Sequence, residues 1–414
     1  MQKINVIKFL PYFPPHKWGL ESHVQEWSKR WVKKWYGEVM NVVPSMGQNT
    51  IIENWKLKIE NYQGIYYKNM LVGYKVDGYQ VLVYPAFDLI PTFPFPKFRK
   101  KDFWIVMKLA KRFHADILNT HTRFFLTSLL GGIFAKCTRT KRIHIEHGVD
   151  FVKLASKWKS ALAWLYDQII GRRIFRCSSG LIGISYGCKR FMQRFTKRLI
   201  DVVHRGMDFP EEMLNVECWM LNDMKWAPVA ANGASIERWD VRIAFVGRLV
   251  KLKGVDLLLN VVKKLLDVWD KHIHLDIVGD GDEMLHLKQQ VHDLSLSHHA
   301  FFLWFKEKNQ IVTDILPHTH IVVNPSFQEW LPTSVLEWLL SGCVVVATDV
   351  WWTPEISDKA DLILVKPGDE WSLYLWLRKA IENHSKIAGL SKEYVRKEFD
   401  WNKNIEKYKD IFNK

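Results

Sequence analysis

The chain has 414 residues, 48% hydrophobic and 25% charged, with a formal net charge of +15; that is length for two α/β domains and the composition of a soluble globular protein. Five scattered cysteines (Cys137, Cys177, Cys188, Cys218 and Cys343), odd in number and without C-x-x-C spacing, point to reduced thiols rather than a disulfide framework. The first residues read as a strand instead of a leader, and no apolar run approaches about 18 residues, so a chain that is neither exported nor membrane-spanning is expected, with a cytoplasmic location.

In chain order, the amino-terminal residues form a strand, enter a Pro-rich loop and become a helix near Leu20. Residues 62–88 alternate with period two around Asp77 and Gly78, the pattern of an added hairpin. ADILNTH places His121 at the end of an apolar strand, and RIHIEHGVD forms the next strand and turn. His144, Glu146 and His147 there suggest a metal set, but strand alternation puts His147 on the face opposite the other two, which argues against one. LIGISYGCKRFM reads as a strand and helix closing the first half. Residues 211–239 fit no element.

The second half opens on a strand at Val241–Val246, ended by Gly247; Arg248, Lys253 and Gly254 follow, and a helical apolar period continues from there. HLDIVG leads into Asp280, Gly281 and Asp282, a D-x-D that reads as a tight turn, and the spacing from Gly247 to Lys253 does not make a P-loop. Ile321–Val323 is an apolar strand. Beyond it Glu329 falls in a loop, Glu337 one turn into a helix that Gly342 is suited to stop, and CVVVAT forms another buried strand.

Alternating strands and helices in both halves imply two doubly wound parallel sheets, with ligands beyond the carboxyl ends of the strands. The expected division is 1–205 for the first domain, 206–239 for a linker or irregular insertion, 240–385 for the second domain, and 386–414 for terminal helices that cross back to the first. An arginine and a lysine on a strand-to-helix turn suit a diphosphate, one as a planar fork of donors and the other as a mobile point charge. A helix N-terminus beside a carboxylate suits an anionic, hydroxyl-rich ligand, and a nucleotide sugar fits that description. The plainer account of Glu337 is an S-x-x-E capping box with Ser334, and that of Arg248 and Lys253 is a solvated basic loop.

Resemblance favours the ligand. NPSFQEWLPTSVLEWLLSGCVVVATDVWWTPEI resembles the donor-site motif of retaining GT-B glycosyltransferases of glycosyltransferase family four, usually P-S-x-x-E-G-x-x-x-x-x-x-E-A followed by a small-residue strand and G-G-x-x-E. FVGRLVKLKG is similar to the G-R-L-x-x-x-K-G of the same enzymes, and PHKWGLESHV to their first loop, P-x-x-G-G-x-x-x-H-V. The resemblance implies two Rossmann-like domains facing across a cleft. It also implies a donor site of Gly19, Gly247, Arg248, Lys253, Glu329, Thr333, Ser334 and Glu337, and His121 beside the reacting sugar. In that family Arg248 and Lys253 neutralise the leaving nucleoside diphosphate, Glu337 binds the ribose hydroxyls and Glu329 lies by the transferred sugar. His121, Glu329, Arg248 and Lys253 are thus the catalytic candidates, with no metal and no cofactor. A nucleotide-sugar epimerase shares the fold and remains a rival; a phosphorylase would need a pyridoxal lysine that is not identified.

Charge is uneven: residues 1–200 carry 34 Lys and Arg against 12 Asp and Glu, whereas 201–414 carry 25 against 32. Basic and apolar residues interleave in Pro96–Phe113, Lys153–Arg176 and Cys188–Arg198, stretches suited to an anionic bilayer. They point to a peripheral enzyme at the inner face of the plasma membrane with a lipid-linked or glycan acceptor; no nucleic-acid recognition motif accompanies them. The chain also has 20 Trp and only 22 Gly. Trp18, Trp304, Trp330, Trp351 and Trp352 stand where the family has glycine, which suggests a source that reads UGA as glycine. If those tryptophans are literal, they obstruct the donor pocket and leave a non-catalytic binding protein.

Overall fold

The computed structural model describes residues 3–11, 19–44, 62–68, 71–84, 86–90, 93–96, 100–152, 157–207, 241–269, 272–327, 333–350, 353–359 and 361–414. They form two compact units, Met1–Gly206 with Trp401–Lys414, and Met207–Asp400. The expected insertion lies almost wholly outside the described residues.

In the first unit, the apolar runs make strands β1 (Val6–Phe9), β2 (Val39–Pro44), β3 (Tyr62–Lys68), β4 (Leu71–Val76), β5 (Tyr79–Tyr84), β6 (Ala86–Ile90), β7 (Phe93–Pro96), β8 (Ile117–His121), β9 (Lys141–Glu146), β10 (Gly180–Gly183) and β11 (Asp201–Val202). Nine of them form one sheet in the order β11-β10-β9-β8-β1-β2-β5-β4-β3, with β6 and β7 paired separately. Neighbours from β11 to β5 are parallel, and β5, β4 and β3 are antiparallel. The hairpin expected around Asp77 and Gly78 is the β4–β5 turn, with φ of 47° and 85° at those residues, as a type I′ turn requires.

Six helices accompany these strands: α1 (Gly19–Lys33), α2 (Lys100–Arg112), α3 (Leu126–Thr138), α4 (Lys157–Tyr166), α5 (Arg172–Cys177) and α6 (Tyr186–Gln193). In α1 the residues Val24, Trp27 and Trp31 recur at helical spacing and are fully buried. The two indoles stack at 4.6 Å, and Tyr408 and Phe412 of the C-terminal helix Trp401–Asn413 close over them.

The second unit holds six parallel strands, β12 (Val241–Val246), β13 (Ile273–Val278), β14 (Ala300–Trp304), β15 (Ile321–Asn324), β16 (Val344–Thr348) and β17 (Leu362–Val365), in the order β14-β13-β12-β15-β16-β17. The central strands β15 and β16 are buried throughout and read as nearly continuous apolar runs, as strands covered on both faces do. Helices α7 (Val255–Val268), α8 (Met284–Asp293), α9 (Thr333–Leu340), α10 (Glu370–Ile387) and α11 (Lys392–Glu398) cover them. Leu258, Leu259, Val262 and Leu265 of α7 meet Leu373, Leu377 and Ile381 of α10 in the core, each contributing about 1.5–3 kcal/mol on burial.

The terminal segment is divided. Residues up to Asp400 group with the second unit, because Val395 and Phe399 pack into the core beside α9 and Asp361 accepts bonds from Ser391; only Trp401–Lys414 groups with the first. The expected boundary at residue 386 therefore falls too early.

Glycine is structurally required where the loops of the second sheet meet. Gly279 has φ of 146°, and a Cβ there would lie 1.9 Å from the Gly247 carbonyl oxygen, whereas a Cβ on Gly389 (φ 76°) would meet nothing within 4 Å. Gly389→Ala should therefore cost about 1 kcal/mol, the conformational term alone, and Gly279→Ala at least about 2 kcal/mol more from overlap. Urea unfolding of the two variants measures the difference; equal losses would refute the backbone-contact argument.

Candidate functional site

In the second sheet β12 and β15 are neighbours whose onward connections lead to opposite sides, β12 to β13 and β15 to β16. A reversal of strand order of this kind is where a doubly wound sheet offers a crevice at its carboxyl ends. One wall is 247–254. Gly247 N–H donates to the Val278 carbonyl (3.0 Å) and Leu249 N–H to the Asp280 carbonyl (2.9 Å), binding this loop to the one after β13. Leu249 is fully buried while Arg248 is exposed. Lys251 pairs with Asp256 at 2.7 Å, and that hydrogen bond and charge hold its ammonium above the usual lysine range. Gly254, at φ of 65°, closes the turn and caps α7; a Cβ there would sit 2.5 Å from the Pro325 carbonyl oxygen.

The other wall follows β15. Phe327 N–H donates to the Leu252 carbonyl (2.9 Å), Ser326 Oγ to Asn324 Oδ1 (2.7 Å), and Thr348 Oγ1 to the Ser326 carbonyl (2.6 Å). Helix α9 commits Val335, Leu336, Trp338, Leu339 and Leu340 to the core, which leaves Ser334 and Glu337, three residues apart, half-buried on the remaining face. Ser334 lies within the helix rather than at its cap, so the S-x-x-E box is not in capping register. Gly342 (φ 87°) ends α9 as expected: its N–H reaches the Leu339 carbonyl and that of Cys343 the Trp338 carbonyl, both at 3.1 Å. The D-x-D is a packing turn, in which Gly281 N–H donates to Asp280 Oδ1 (2.7 Å) and a Cβ on Gly281 would lie 2.3 Å from the Leu249 carbonyl oxygen.

In the first unit, β8 ends at His121 and its parallel neighbour β9 at Glu146. The Glu146 carboxylate is a buried hub. Its Oε1 accepts from the N–H of His147 (3.0 Å) and of Gly148 (2.8 Å) and lies 3.2 Å from Arg123; Oε2 accepts from Arg123 N–H (3.1 Å) and lies 3.3 Å from His144 Nε2. Arg123 also forks onto Asp167 at 3.1 and 3.0 Å. Burial pushes the Glu146 carboxyl up, but the Arg123 guanidinium, the His144 bond and the Gly148 N–H outweigh it and hold the group at about 2.

His147 lies past the end of β9, outside the strand alternation, and its Nε2 meets His121 Nδ1 at 3.1 Å. His144, Glu146 and His147 therefore do not converge on one point: two share a bond in the strand, and the third turns to His121. Burial holds His121 well below the usual histidine range and His147 down at about 3, so both are neutral at pH 7. His121 Nε2 has no hydrogen-bond partner among the described residues. Buried Lys8 lies nearby, its Nζ 3.2 Å from the centre of the Trp27 ring, and His23 stacks on Trp401 at 5.1 Å.

The structure places Gly247, Arg248 and Lys253 on the loop after β12 and Ser334 and Glu337 on the helix after β15, its neighbour in the second sheet, and His121 in the first unit, where Gly19 starts α1. Glu329, Trp18, Trp330, Trp351 and Trp352 lie outside the described residues, as does the side chain of Thr333. Trp304 is described: it ends β14 at φ of 57° with its indole exposed. Sequence reasoning did not single out Arg123, Asp167 or Lys8. A signal existed for two of them, since Lys8 interrupts the apolar strand VIKF and Asp167 is the only acid in the otherwise basic segment 157–177.

Comparison with known proteins agrees along both halves. Residues 62–209 match the family Glycosyltransferase Family 4, and residues 236–397 match Glycosyl transferases group 1. The chain is 29% identical to an uncharacterized glycosyltransferase of Methanocaldococcus jannaschii over 426 residues, covering 100% of this chain and 99% of that protein. It is 21% identical to a phosphatidylinositol N-acetylglucosaminyltransferase subunit of Saccharomyces cerevisiae over 401 residues, 96% of this chain and 80% of that one. Among solved structures, Anabaena HepE in complex with UDP and glucose superposes with a TM-score of 0.57 at 15% identity, covering 99% of both chains. The two Rossmann-like units are those of the GT-B fold, and the matches support a glycosyltransferase.

The buried groups fix how the first unit responds to acid. His147 titrates near 6.5 when unfolded and about 3 when folded, so the stability it carries is present above pH 6.5 and lost as pH falls towards 3. Glu146, about 4.5 unfolded and about 2 folded, adds a second loss between pH 4.5 and 2. Glu146→Gln should lower stability at pH 7 by about 3–5 kcal/mol, since it strips a buried guanidinium of one partner, and should flatten the profile below pH 4.5 while keeping the histidine limb above it. Denaturant titrations across pH check this; an unchanged acid limb in the variant would refute the assignment.

Proposed function

We propose that this chain, matched to glycosyltransferases along both halves, moves a sugar from a nucleoside diphosphate donor to a lipid-linked or glycan acceptor with retention of configuration. The observation that carries the reading is the β12–β15 crevice, where Arg248 and Lys253 on one loop and Glu337 on the helix after the neighbouring strand stand at the carboxyl ends of adjacent parallel strands. Negative charge grows on the phosphate as the sugar leaves. In this reading Arg248 takes it up as a planar fork of donors and Lys253 as a point charge, and the first N–H groups of α7 add the helix dipole, all without a metal. Glu337 accepts the ribose hydroxyls, and Glu329 is assigned to the transferred sugar. The UDP held by the Anabaena protein makes uridine donors the first to test, and the yeast relative's lipid acceptor favours a lipid-linked one here.

A nucleotide sugar that binds only the folded form should raise the melting temperature. Arg248→Ala and Glu337→Ala should abolish that rise, and Arg248→Ala should cut turnover by about 100-fold or more. Product NMR should show the donor's anomeric configuration. Donor epimers interconverting without acceptor would replace this reading with the epimerase one.

The rival of a non-catalytic protein depends on tryptophans at motif glycines, and Trp304 speaks against it. A bulky residue in the left-handed region is an outlier, and Trp304 occupies that region with an exposed ring that packing does not require. Trp35 repeats the pattern. It follows α1 at φ of 59°, with its own N–H on the Val32 carbonyl (2.9 Å) and that of Tyr36 on the Trp31 carbonyl (3.1 Å), the helix-ending motif whose left-handed position is usually glycine. We infer that both positions, with 18, 330, 351 and 352, are encoded by UGA and carry glycine in the source cell. Reading the gene decides the matter, since UGG at 35 and 304 would end the idea. Trp304→Gly should stabilise the recombinant protein by about 1 kcal/mol in thermal melts.

A further inference from the structure

Three stretches of the first unit interleave basic and apolar residues, and the structure treats them differently. In α6 and just beyond it, Cys188, Phe191, Met192 and Phe195 are buried, so the cations there flank a core helix. In α2, Val106 and Met107 enter the core. The segment 157–177 departs from both. It is continuously helical through α4, a π-turn at Asp167–Gly171, and α5, a rod about 30 Å long.

One side of this rod is anchored. Ala163, Asp167, Gly171, Ile174 and Phe175 are buried, Phe175 among Leu181, Phe191 and Phe195, and Asp167 on Arg123. On the other side Leu162, Leu165 and Ile169 recur at intervals of three and four and are 55%, 47% and 59% exposed, and Trp158 extends the row by one turn. Arg173 follows Ile169 by four residues, about one helical turn. Lys159, Arg173 and Arg176 are exposed around this row, and the segment's one carboxylate is the buried Asp167.

An apolar row ringed by cations, with no exposed acid, matches the chemistry of an anionic bilayer surface, where the row enters the acyl boundary and the cations meet lipid phosphates. A nucleic-acid groove offers phosphates but no apolar phase for three aliphatic side chains, and a solvated helix has no use for them. We propose that the outward face of 157–177, centred on Leu162, Leu165 and Ile169, docks the protein peripherally on anionic membrane. The proposal is independent of the donor chemistry. Among the described residues no helix is long and apolar enough to cross a membrane, so the contact is with the surface.

Co-sedimentation of the full chain with phosphatidylcholine vesicles, with and without phosphatidylglycerol, tests it. The protein should sediment with the anionic vesicles only, and less at high salt. Arg173→Gln with Arg176→Gln should weaken binding about 25-fold, from roughly fivefold per cation. Leu162→Ser with Ile169→Ser should release the protein even at low salt, while thermal melting and donor-induced stabilisation stay at wild-type values. Failure of the wild-type protein to bind anionic vesicles, full binding by well-folded variants of this face, or binding to single-stranded RNA that the same substitutions abolish in place of vesicle binding would each overturn the proposal.

Discussion

The loop that leaves β12 is held by backbone contacts with no room for a Cβ. Gly279 lies against the Gly247 carbonyl, Gly281 against the Leu249 carbonyl and Gly254 against that of Pro325. Three neighbouring loops are thereby fixed through their main chains, and the side chains of the first loop are released from structural duty except for buried Leu249. Arg248 and Lys253 can then be presented from a rigid frame at the point where β12 and β15 part. The donor site proposed here, which holds charge in a set place, needs such a frame more than it needs flexible reach. The same need explains why α9 spends five of its eight residues on the core, leaving Ser334 and Glu337 on a helix that cannot rotate.

The first unit solves a different problem. Its sheet also reverses strand order, between β1, which leads on to β2, and β8, which leads on to β9, but the residues at that point include buried bases. Neutral His121 and His147 bond to each other, and Lys8 stands over Trp27 with its charge disfavoured by burial. Glu146, Arg123 and Asp167 form a paired set of charges in the interior. Such a triad stabilises little in net terms, since desolvation offsets attraction, but it penalises any arrangement that leaves one member unpaired. Glu146 binds the N–H groups of His147 and Gly148 and of Arg123, so it sets the turn after β9 and the loop after β8 together, and with them the position of His121.

Much of this was legible in the sequence because the second unit obeys simple rules. Val241–Val246, Ile321–Asn324 and Val344–Thr348 are mostly apolar, Gly247 and a polar loop follow the first two, Gly342 precedes the third, and the period changes to helical after Gly254. Residues 62–84 were legible for the opposite reason, period two and an Asp-Gly turn. What could not be read was contact at long range. Arg123, Glu146 and Asp167 lie in three elements with no shared motif, and His23 meets Trp401 across most of the chain. Pro94 and Pro96 do not prevent β6 and β7 from pairing, because a separate two-stranded ribbon leaves outward edges on which proline is tolerated. Alternation does not decide the face of His147, since it holds only inside a strand and β9 stops one residue earlier.

Interleaved charge and hydrophobicity in sequence leave open which way each class of side chain points, and that is where coordinates add most. Cys188–Arg198 and Lys157–Cys177 look alike on paper. One helix uses its apolar residues to fill a core around Phe175 and Phe195, whereas the other fills the same core with Ile174 and Phe175 and still has Leu162, Leu165 and Ile169 left over. A helix needs about one apolar stripe to fold onto a domain, and a second stripe on the opposite face exposes surface at a cost of roughly 25 cal/mol per Å² unless something covers it. The surplus stripe sits on the domain with the excess of positive charge, and its own segment exposes cations alone. Physical economy places the second stripe where a negatively charged, apolar-cored phase can receive it.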